Sequence, residues 1–232
     1  MIIEKKENLK IDMDNIPEGL KPMAQRAQEF LEVRNLYHAA IKEVSTKLEI
    51  LDDEFHVNHD YNPIHHMECR VKSIQSIFGK IARKGFDFDS HAFKKLTDIA
   101  GIRVICKYTS DIYRISQMLL DQNDIELVRT KDYIKNPKES GYRSLHLVVL
   151  VPVFLSDRVE KVPVEVQIRT VVMDTWASLE HELKYKKNGS PLSESAAKSL
   201  KECAAQMHSI DEMMEHIHSE EMAEEEIRKT FQ

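Results

Sequence analysis

Long apolar runs with a period of two occupy the middle of the chain and constrain its fold more than any other feature. Residues 145–154 read LHLVVLVPVF and residues 161–170 read KVPVEVQIRT. GIRVICKY at 101–108 and IELVRTKDY at 125–133 are also strand-like, and DIYRISQMLLDQ between them has a helical period. Strands that alternate with helices predict an α+β fold, a mixed β-sheet flanked by helices.

Helical segments are expected on both sides of this middle region. Apolar residues recur every three or four positions in LYHAAIKEVSTKLEILDDEF, which predicts a helix that ends at the turn-rich stretch HVNHDYNPIHHM. A further helix is expected at about 66–84, and another over TVVMDTWASLEHELKYK. The chain is therefore divided into an N-terminal helical extension at 1–62, a central domain at 63–187 and a C-terminal helix at 188–232.

The C-terminal helix carries an apolar stripe that has two interpretations. Apolar side chains alternate steps of three and four from Leu200 to Ile217. Such a stripe packs either against the helix's own domain or against another subunit. The pattern alone leaves both open.

Composition excludes several classes of protein. The net charge of -6 gives no reason to expect general nucleic-acid binding, so any anion site must come from local clustering. The three cysteines include no CxxC pair, which indicates reduced thiols and not a cysteine zinc site. No stretch approaches the roughly 18 apolar residues of a membrane span, and the start lacks the apolar core of a signal peptide. We expect a soluble, cytoplasmic protein.

The segment ECRVKSIQSIFGKIARKG contains a local cluster of positive charge. On a helix, one narrow stripe is formed by Lys72, Ser76, Lys80 and Arg83. The opposite, core-facing side is expected to consist of Val71, Ile74, Phe78 and Ile81. A row of cations with no counter-ion inside its own segment is either a solvated basic face or a surface that binds a polyphosphate.

Two carboxylates form a candidate metal site. Period two in KVPVEVQIRT places the valines in the core and Glu165, Gln167 and Arg169 on the other face, either as a half-exposed strand or as a substrate floor. Asp98 precedes a glycine turn into a strand, where it serves as a cap or as a metal ligand. If their strands are neighbours, Asp98 and Glu165 could together hold Mg²⁺, which favours one or two carboxylates with phosphate oxygens and water.

The stretch KESGYRSLH places three basic side chains around a Gly-Tyr pair. Lys138, Arg143 and His146 surround Tyr142 directly before an apolar strand, as in a hairpin corner or a platform for a nucleotide. There is no GxxxxGK or GxGxxG motif, so side chains would have to hold the phosphates. These features predict a phosphate-handling enzyme of nucleotidyltransferase type. The alternatives are a non-catalytic RNA-binding module and an enzyme that transfers nucleotides to another acceptor.

Five segments in fixed order resemble the synthetase domain of the RelA/SpoT family. They are RVKSIQSIFGKIARK, DIAGIRVICKY, KESGYRSLHLVV, VEVQIRT and MDTWASLEHELKYK. The resemblance spans about residues 63–187 and leaves no room before it for a hydrolase domain, so a small alarmone synthetase without hydrolase activity is expected. NPIHHM and KDYIKNPKE resemble the RelP-type branch.

The resemblance implies a reaction, a cofactor and a role for each site residue. The family transfers pyrophosphate from ATP to the ribose 3′-hydroxyl of GDP or GTP, which yields AMP and ppGpp or pppGpp. The ATP-binding residues would be Arg70 and Arg103 around adenine, with Lys72, Ser76, Lys80 and Arg83 on the phosphates. The residues for GDP or GTP would be Tyr142 on guanine, Lys138 and His146 near the phosphates, and Gln167 beside the sugar or base, with Arg143 in the same set.

The same resemblance makes Asp98 and Glu165 the catalytic, Mg²⁺-binding pair. Glu165 would complete the metal site, deprotonate the 3′-hydroxyl, or do both. A homotetramer with the terminal helices at its interfaces is also implied, whereas regulation by RNA is not indicated. Zinc captured by His146 and nearby carboxylates would block the site.

Overall fold

A computed structural model describes residues 11, 13–85, 96–186 and 192–230 of the chain. Five strands form one sheet in the order β1-β2-β5-β4-β3. The strands are β1 (Ile64–Val71), β2 (Ala100–Cys106), β3 (Glu126–Asp132), β4 (Leu145–Phe154) and β5 (Val159–Thr170). β2 and β5 are parallel and the other neighbours are antiparallel, so the sheet is mixed and the predicted α+β class is confirmed.

The helices flank this sheet, as predicted. They are α1 (Lys21–Asn58), α2 (Ile74–Lys84), α3 (Thr109–Leu120), α4 (Val171–Lys186) and α5 (Glu194–Thr230). Two short 3-10 turns, Met13–Asn15 and Glu18–Leu20, precede α1. Among the described residues, none of the helices has the length and apolar character needed to cross a membrane.

One face of the sheet forms the hydrophobic core with α1 and α3. The alternation predicted for β5 is confirmed, because Val162, Val164, Val166 and Ile168 are at most 2% exposed. From α1, Val44 and Leu48 are fully buried in the same core. Burial of apolar side chains on this face leaves the opposite face of the sheet to carry polar side chains.

The expected helix at about 66–84 is wrong in its first half. Residues Ile64–Val71 form β1, an edge strand that pairs with β2 along its length. The alternating Met67, Cys69 and Val71 agree with a strand, and the backbone pairing outweighs local helix propensity. Ser73 then caps α2, because its hydroxyl accepts a hydrogen bond from the Ser76 amide at 3.3 Å.

The buried face of α2 differs from the predicted one. Ile77 and Ile81 are buried, whereas Phe78 is 40% exposed and contacts Phe30. The prediction that Phe78 belongs to the core is therefore wrong, and the side chain of Ile74 lies outside the described residues.

The stripe on α5 divides into two parts. Its first half packs against α4 and the loop before β4, where Ala204 is buried and Leu200 and Met207 are partly covered. Ile210, Met214 and Ile217 are about half exposed in the single chain. Intramolecular packing therefore accounts for the first half of the stripe only.

Candidate active site

The polar face of the sheet carries a row of functional side chains across all five strands. Register partners run from Glu68 on β1 to Arg103 on β2, Gln167 on β5, His146 on β4 and Lys131 on β3. Partners in register point to the same side of a sheet. Residues far apart in the sequence are thereby brought to one surface.

A cleft of about 400 Å³ opens on this surface. Its lining includes six of the predicted site residues: Arg70, Lys72, Asp98, Arg103, Glu165 and Gln167. Next to the cleft, Lys72, Ser76 and Arg83 line an open depression along α2. The structure thus brings together the predicted ATP-binding residues and both predicted metal ligands.

Asp98 is the counter-ion of the cationic stripe. Its Oδ2 accepts hydrogen bonds from the ammonium groups of Lys72 and Lys80. Burial raises the pKa of Asp98, but the two ammonium groups outweigh burial and hold this pKa below its usual value. The stripe has no counter-ion within its own segment, and folding supplies one from Asp98.

Glu165 is held as an ionised carboxylate. Its Oε2 accepts a hydrogen bond from Gln167 Nε2 at 3.2 Å, and its Oε1 lies 3.4 Å from His146 Nδ1. Burial raises the pKa of Glu165, but His146 and Gln167 outweigh burial and lower the pKa. The negative charge of Asp98 acts on Glu165 in the opposite direction, which is consistent with two carboxylates facing one cleft.

Tyr142 is surrounded by cations and rings. Lys138 Nζ lies 4.6 Å from the centroid of its ring, and the guanidinium of Arg169 lies 5.6 Å from it. Tyr133 and His146 approach the ring edge-on at 6.0 and 5.8 Å. The Tyr142 hydroxyl is 2.8 Å from His146 Nε2, so the predicted guanine platform is connected to the residue beside Glu165.

Two arginines occupy different positions from those the sequence suggested. Arg169, expected on an exposed floor, is only 3% exposed. Arg143 donates a hydrogen bond to the Ile134 carbonyl oxygen at 2.6 Å and lines a small cavity with His208 and Asp211 of α5. Arg143 is thus directed toward α5, and the structure does not bring it together with Lys138 and the Tyr142 ring.

Sequence reasoning missed three side chains of this face. Lys131 is the register partner of His146, and Glu68 accepts a hydrogen bond from Arg103 Nη1 at 2.7 Å. Asp174, in the first turn of α4, lies 3.3 Å from Arg169 Nη1. Only Lys131 had a detectable signal, because a basic residue on a predicted strand beside KESGYRSLH could have been placed opposite His146.

The donor set fits Mg²⁺. Asp98 Oδ1 is buried and has no hydrogen-bond partner among the described residues. Glu165 faces the same cleft, and a pair of carboxylates with phosphate oxygens and water matches the preference of Mg²⁺. Within the described ranges, no three His, Cys, Asp or Glu side chains are grouped as metal ligands.

Comparison with known proteins gives a family match over half of the chain. Residues 69–190 match the profile described as "Region found in RelA / SpoT proteins". The GTP pyrophosphokinase YwaC of Bacillus subtilis is 44% identical over 77% of this chain and 85% of its own length. The GTP pyrophosphokinase YjbM of the same organism is 37% identical over 79% of this chain and 86% of its own.

Solved structures give the same result. The small alarmone synthetase 2 of Bacillus subtilis superposes with a TM-score of 0.76 at 42% identity, over 83% of this chain and 99% of that one. The small alarmone synthetase 1 of Bacillus subtilis bound to its product pppGpp has a TM-score of 0.75 at 37% identity, over 79% of this chain and 93% of that one.

Proposed function

This chain belongs to the RelA/SpoT family, and we propose that its cleft transfers pyrophosphate from ATP to the ribose 3′-hydroxyl of GDP or GTP. The products are AMP and ppGpp or pppGpp. One observation carries the proposal: a cationic helix, two carboxylates and a tyrosine platform converge on one face of the sheet. That arrangement suits two nucleotides bound side by side, with the phosphates of ATP next to the ribose of the guanosine nucleotide.

The ATP side of the cleft comprises Arg70, Arg103, Asp98 and the stripe of Lys72, Ser76, Lys80 and Arg83. The stripe would bind the phosphates of ATP, since several ammonium and guanidinium groups in a row match a polyphosphate. Arg70 and Arg103 would hold the adenine between guanidinium planes, a contact that lysine cannot reproduce. Lys72 and Lys80 would exchange part of their contact with Asp98 for phosphate oxygens.

The guanosine side comprises Lys138, Tyr142, His146 and Gln167. Tyr142 would stack on guanine, and Lys138 would move from the ring toward the guanosine phosphates because its side chain is long and exposed. His146 contacts both Tyr142 and Glu165, and Gln167 contacts Glu165, which supports a role for both residues beside the ribose. We omit Arg143 from this set because it is directed toward α5.

Asp98 and Glu165 would hold Mg²⁺ between the two sides. The ion would supply positive charge to the phosphate oxygens of ATP. The lowered pKa of Glu165 favours the role of metal ligand over that of general base, because an efficient base has a pKa near the working pH. The unpartnered Oδ1 of Asp98 supports the same assignment for that residue.

In the proposed reaction the 3′-oxygen attacks the β-phosphorus of ATP. The bond from that phosphorus to the oxygen bridging the α-phosphate breaks, AMP leaves, and the hydroxyl proton passes to water or to a carboxylate of the site. The protein contributes mainly alignment of the two substrates and neutralisation of charge by Lys72, Lys80 and Arg83.

Analysis of the nucleotides by anion exchange, after incubation of the protein with ATP, GDP and Mg²⁺, tests the proposal. We expect equal amounts of AMP and a more highly charged guanosine nucleotide, and neither product with Glu165→Gln. Release of inorganic pyrophosphate with a nucleotide joined to an acceptor would instead indicate a nucleotidyltransferase. Intact ATP and GDP with folded protein would leave only a binding module.

The quaternary structure and location belong to the same proposal. A homotetramer is supported by the apolar side chains of α5 that stay exposed in the single chain, Ile210, Met213, Met214 and Ile217. Light scattering coupled to gel filtration tests it, with four times 27.0 kDa expected. The proposed substrates ATP and GDP, together with reduced thiols, favour a cytoplasmic location for the protein. Assignment to the RelP-type branch stays a prediction.

A further inference from the structure

An ion pair between a buried arginine and a partly buried aspartate lies beneath the guanosine side. The side chain of Arg169, on β5, is 4% exposed, and burial lowers its pKa because the guanidinium has lost water. Asp174, in the first turn of α4, is its ion-pair partner among the described residues, at 3.3 Å. A buried charge that loses its partner is costly, so the position of Arg169 depends on Asp174.

Arg169 determines the orientation of Gln167. Nη2 of Arg169 donates to Gln167 Oε1 at 2.6 Å. Because this bond occupies the oxygen of the amide, the nitrogen is directed at Glu165 Oε2, 3.2 Å away. The reversed amide would place its nitrogen against the guanidinium, donor against donor.

The same nitrogen of Arg169 also holds Tyr142. Nη2 donates to the Tyr142 hydroxyl at 3.2 Å, and this hydroxyl lies 2.8 Å from His146 Nε2. His146 Nδ1 lies 3.4 Å from the other oxygen of Glu165. Two chains of contacts therefore lead from Arg169 to Glu165, through Gln167 and through Tyr142 with His146.

We propose that Asp174 and Arg169 form a positioning pair for the guanosine nucleotide. The pair fixes the Tyr142 platform and the Gln167 amide before the nucleotide binds, so that less order has to be created on binding. Neither residue is placed at the reacting atoms. The inference deepens the function proposed above and rests on it for the identity of the nucleotide.

The geometry also predicts that loss of the Asp174 carboxylate affects the binding of ATP less than the binding of GDP. Asp174 Oδ1 lies 3.6 Å from Arg103 Nη1, but Arg103 has a closer partner in Glu68, at 2.7 Å. Loss of the Asp174 carboxylate therefore leaves Arg103 paired and leaves Arg169 without its ion-pair partner. A positioning role consequently predicts a selective loss on the guanosine side, whereas a general loss of stability would reduce the binding of both substrates.

Asp174→Asn is the decisive substitution, with Asp124→Asn as the matched control. Asp124 forms an ion pair with Lys47 at 2.7 Å outside the cleft. Since the substitution replaces a charge-assisted hydrogen bond by a neutral one, we expect Asp174→Asn to weaken GDP binding and raise the KM for GDP by about tenfold. The KM for ATP is expected to change by less than about threefold, and the control to match wild type.

Calorimetric titration of GDP onto each folded variant measures the binding directly. Asp174→Glu, which keeps the charge, is expected to recover most of the affinity, whereas Arg169→Lys is not, because one ammonium cannot reproduce the fork of contacts. In a double-mutant cycle, Asp174→Asn with Gln167→Ala should lose less than the sum of the single losses.

Unchanged GDP affinity in Asp174→Asn, equal losses for ATP and GDP, or full additivity with Gln167→Ala would each overturn the inference. These outcomes are separate from failure of the proposed function. Wild type that binds GDP but forms no AMP would contradict the proposed function, and the titrations would still test the positioning pair.

Discussion

The two sides of the cleft are built differently. On the ATP side, Lys72 and Lys80 reach one carboxylate from long side chains that are 28% and 27% exposed. On the guanosine side, Tyr142 is held by Arg169, whose side chain is 4% exposed. The ATP side thus depends on charges carried by long, partly exposed side chains, and the guanosine side on a platform held by buried contacts.

This difference has an energetic consequence. Phosphate binding on the proposed ATP side would require the two lysines to give up part of their contact with Asp98, so part of the attraction would only replace an existing one. Guanine binding at the proposed platform would require mainly that Lys138 moves off the Tyr142 ring. Substitutions on the ATP side should therefore weaken binding through the loss of charge. Substitutions on the guanosine side should weaken binding through the loss of the stacking surface and of the contacts that position it.

The largest effect is expected where the two sides meet. Glu165→Gln removes the charge of the proposed metal ligand while it keeps the size of the side chain. We expect AMP formation to fall by about 10²–10³-fold, as for loss of a central electrostatic contact in other enzymes. GDP binding, measured by calorimetry, should persist. An activity within tenfold of wild type would remove Glu165 from the centre of the mechanism.

Tyr142→Ala tests the ordered platform. Stacking of an aromatic side chain on a base contributes about 1–3 kcal/mol, so kcat/KM for GDP should fall by roughly ten- to a hundredfold. Tyr142→Phe is the matched control, because it keeps the ring and loses only the hydroxyl contacts, and its loss should be smaller. Loss of ATP binding to the same extent in Tyr142→Ala would contradict the separation of the two sides.

Lys80→Met tests the contribution of the charged side chains on the ATP side. The substitution removes one ammonium from the stripe and frees Asp98 from one partner. We expect the KM for ATP to rise by about tenfold, since a charge-assisted hydrogen bond is stronger than a neutral one, with the KM for GDP unchanged. Lys84→Met, which lies outside the stripe, should behave as wild type. A higher KM for GDP in Lys80→Met would argue against the division.

The smallest effect concerns the support of the guanosine side by α5. Asp211 Oδ2 accepts a hydrogen bond from Thr170 Oγ1 at the end of β5, and burial raises the pKa of Asp211 to about 6. A carboxyl whose pKa is higher in the folded protein stabilises the fold at pH values below its unfolded pKa. This contribution is lost as the pH rises through about 6.

Asp211→Asn should therefore stabilise the protein at pH 8 and have little effect near pH 4. We expect the free energy of unfolding at pH 8 to increase by about 1–2 kcal/mol. At this chain length that corresponds to a rise in Tm of roughly 2–8 °C, measured by calorimetry. Equal shifts at both pH values would mean that the Asp211 carboxyl is not the titrating group.

The sequence predicted the elements whose pattern is local. The alternation in β4 and β5 follows from apolar side chains that face one core, and the predicted and observed β4 coincide at Leu145–Phe154. The strand β1 was missed because its formation depends on pairing with β2, whose partner residues, from Val71↔Ala100 to Ile64↔Cys106, lie far along the chain. The residues around β1 in the sequence carry no information about this pairing partner.

The site was predicted in the same uneven way. Residues in contiguous motifs, such as Lys72 and Lys80, were found, but their counter-ion Asp98 was not recognised as such because folding brings it to them. Arg169 alternates with the core like Glu165, yet α4 covers it and supplies Asp174. Alternation predicts which face of the sheet a side chain is on, and packing of later helices decides whether that face is exposed.

The most direct test of the two-sided cleft is calorimetric titration of GDP and of a non-hydrolysable ATP analogue onto wild type, Tyr142→Ala and Lys80→Met. We expect Tyr142→Ala to lose affinity for GDP and to keep its affinity for the ATP analogue. Lys80→Met should lose affinity for the ATP analogue and keep its affinity for GDP. Parallel losses of both nucleotides in either variant would contradict this expectation, because they would mean that the cleft is one undivided site.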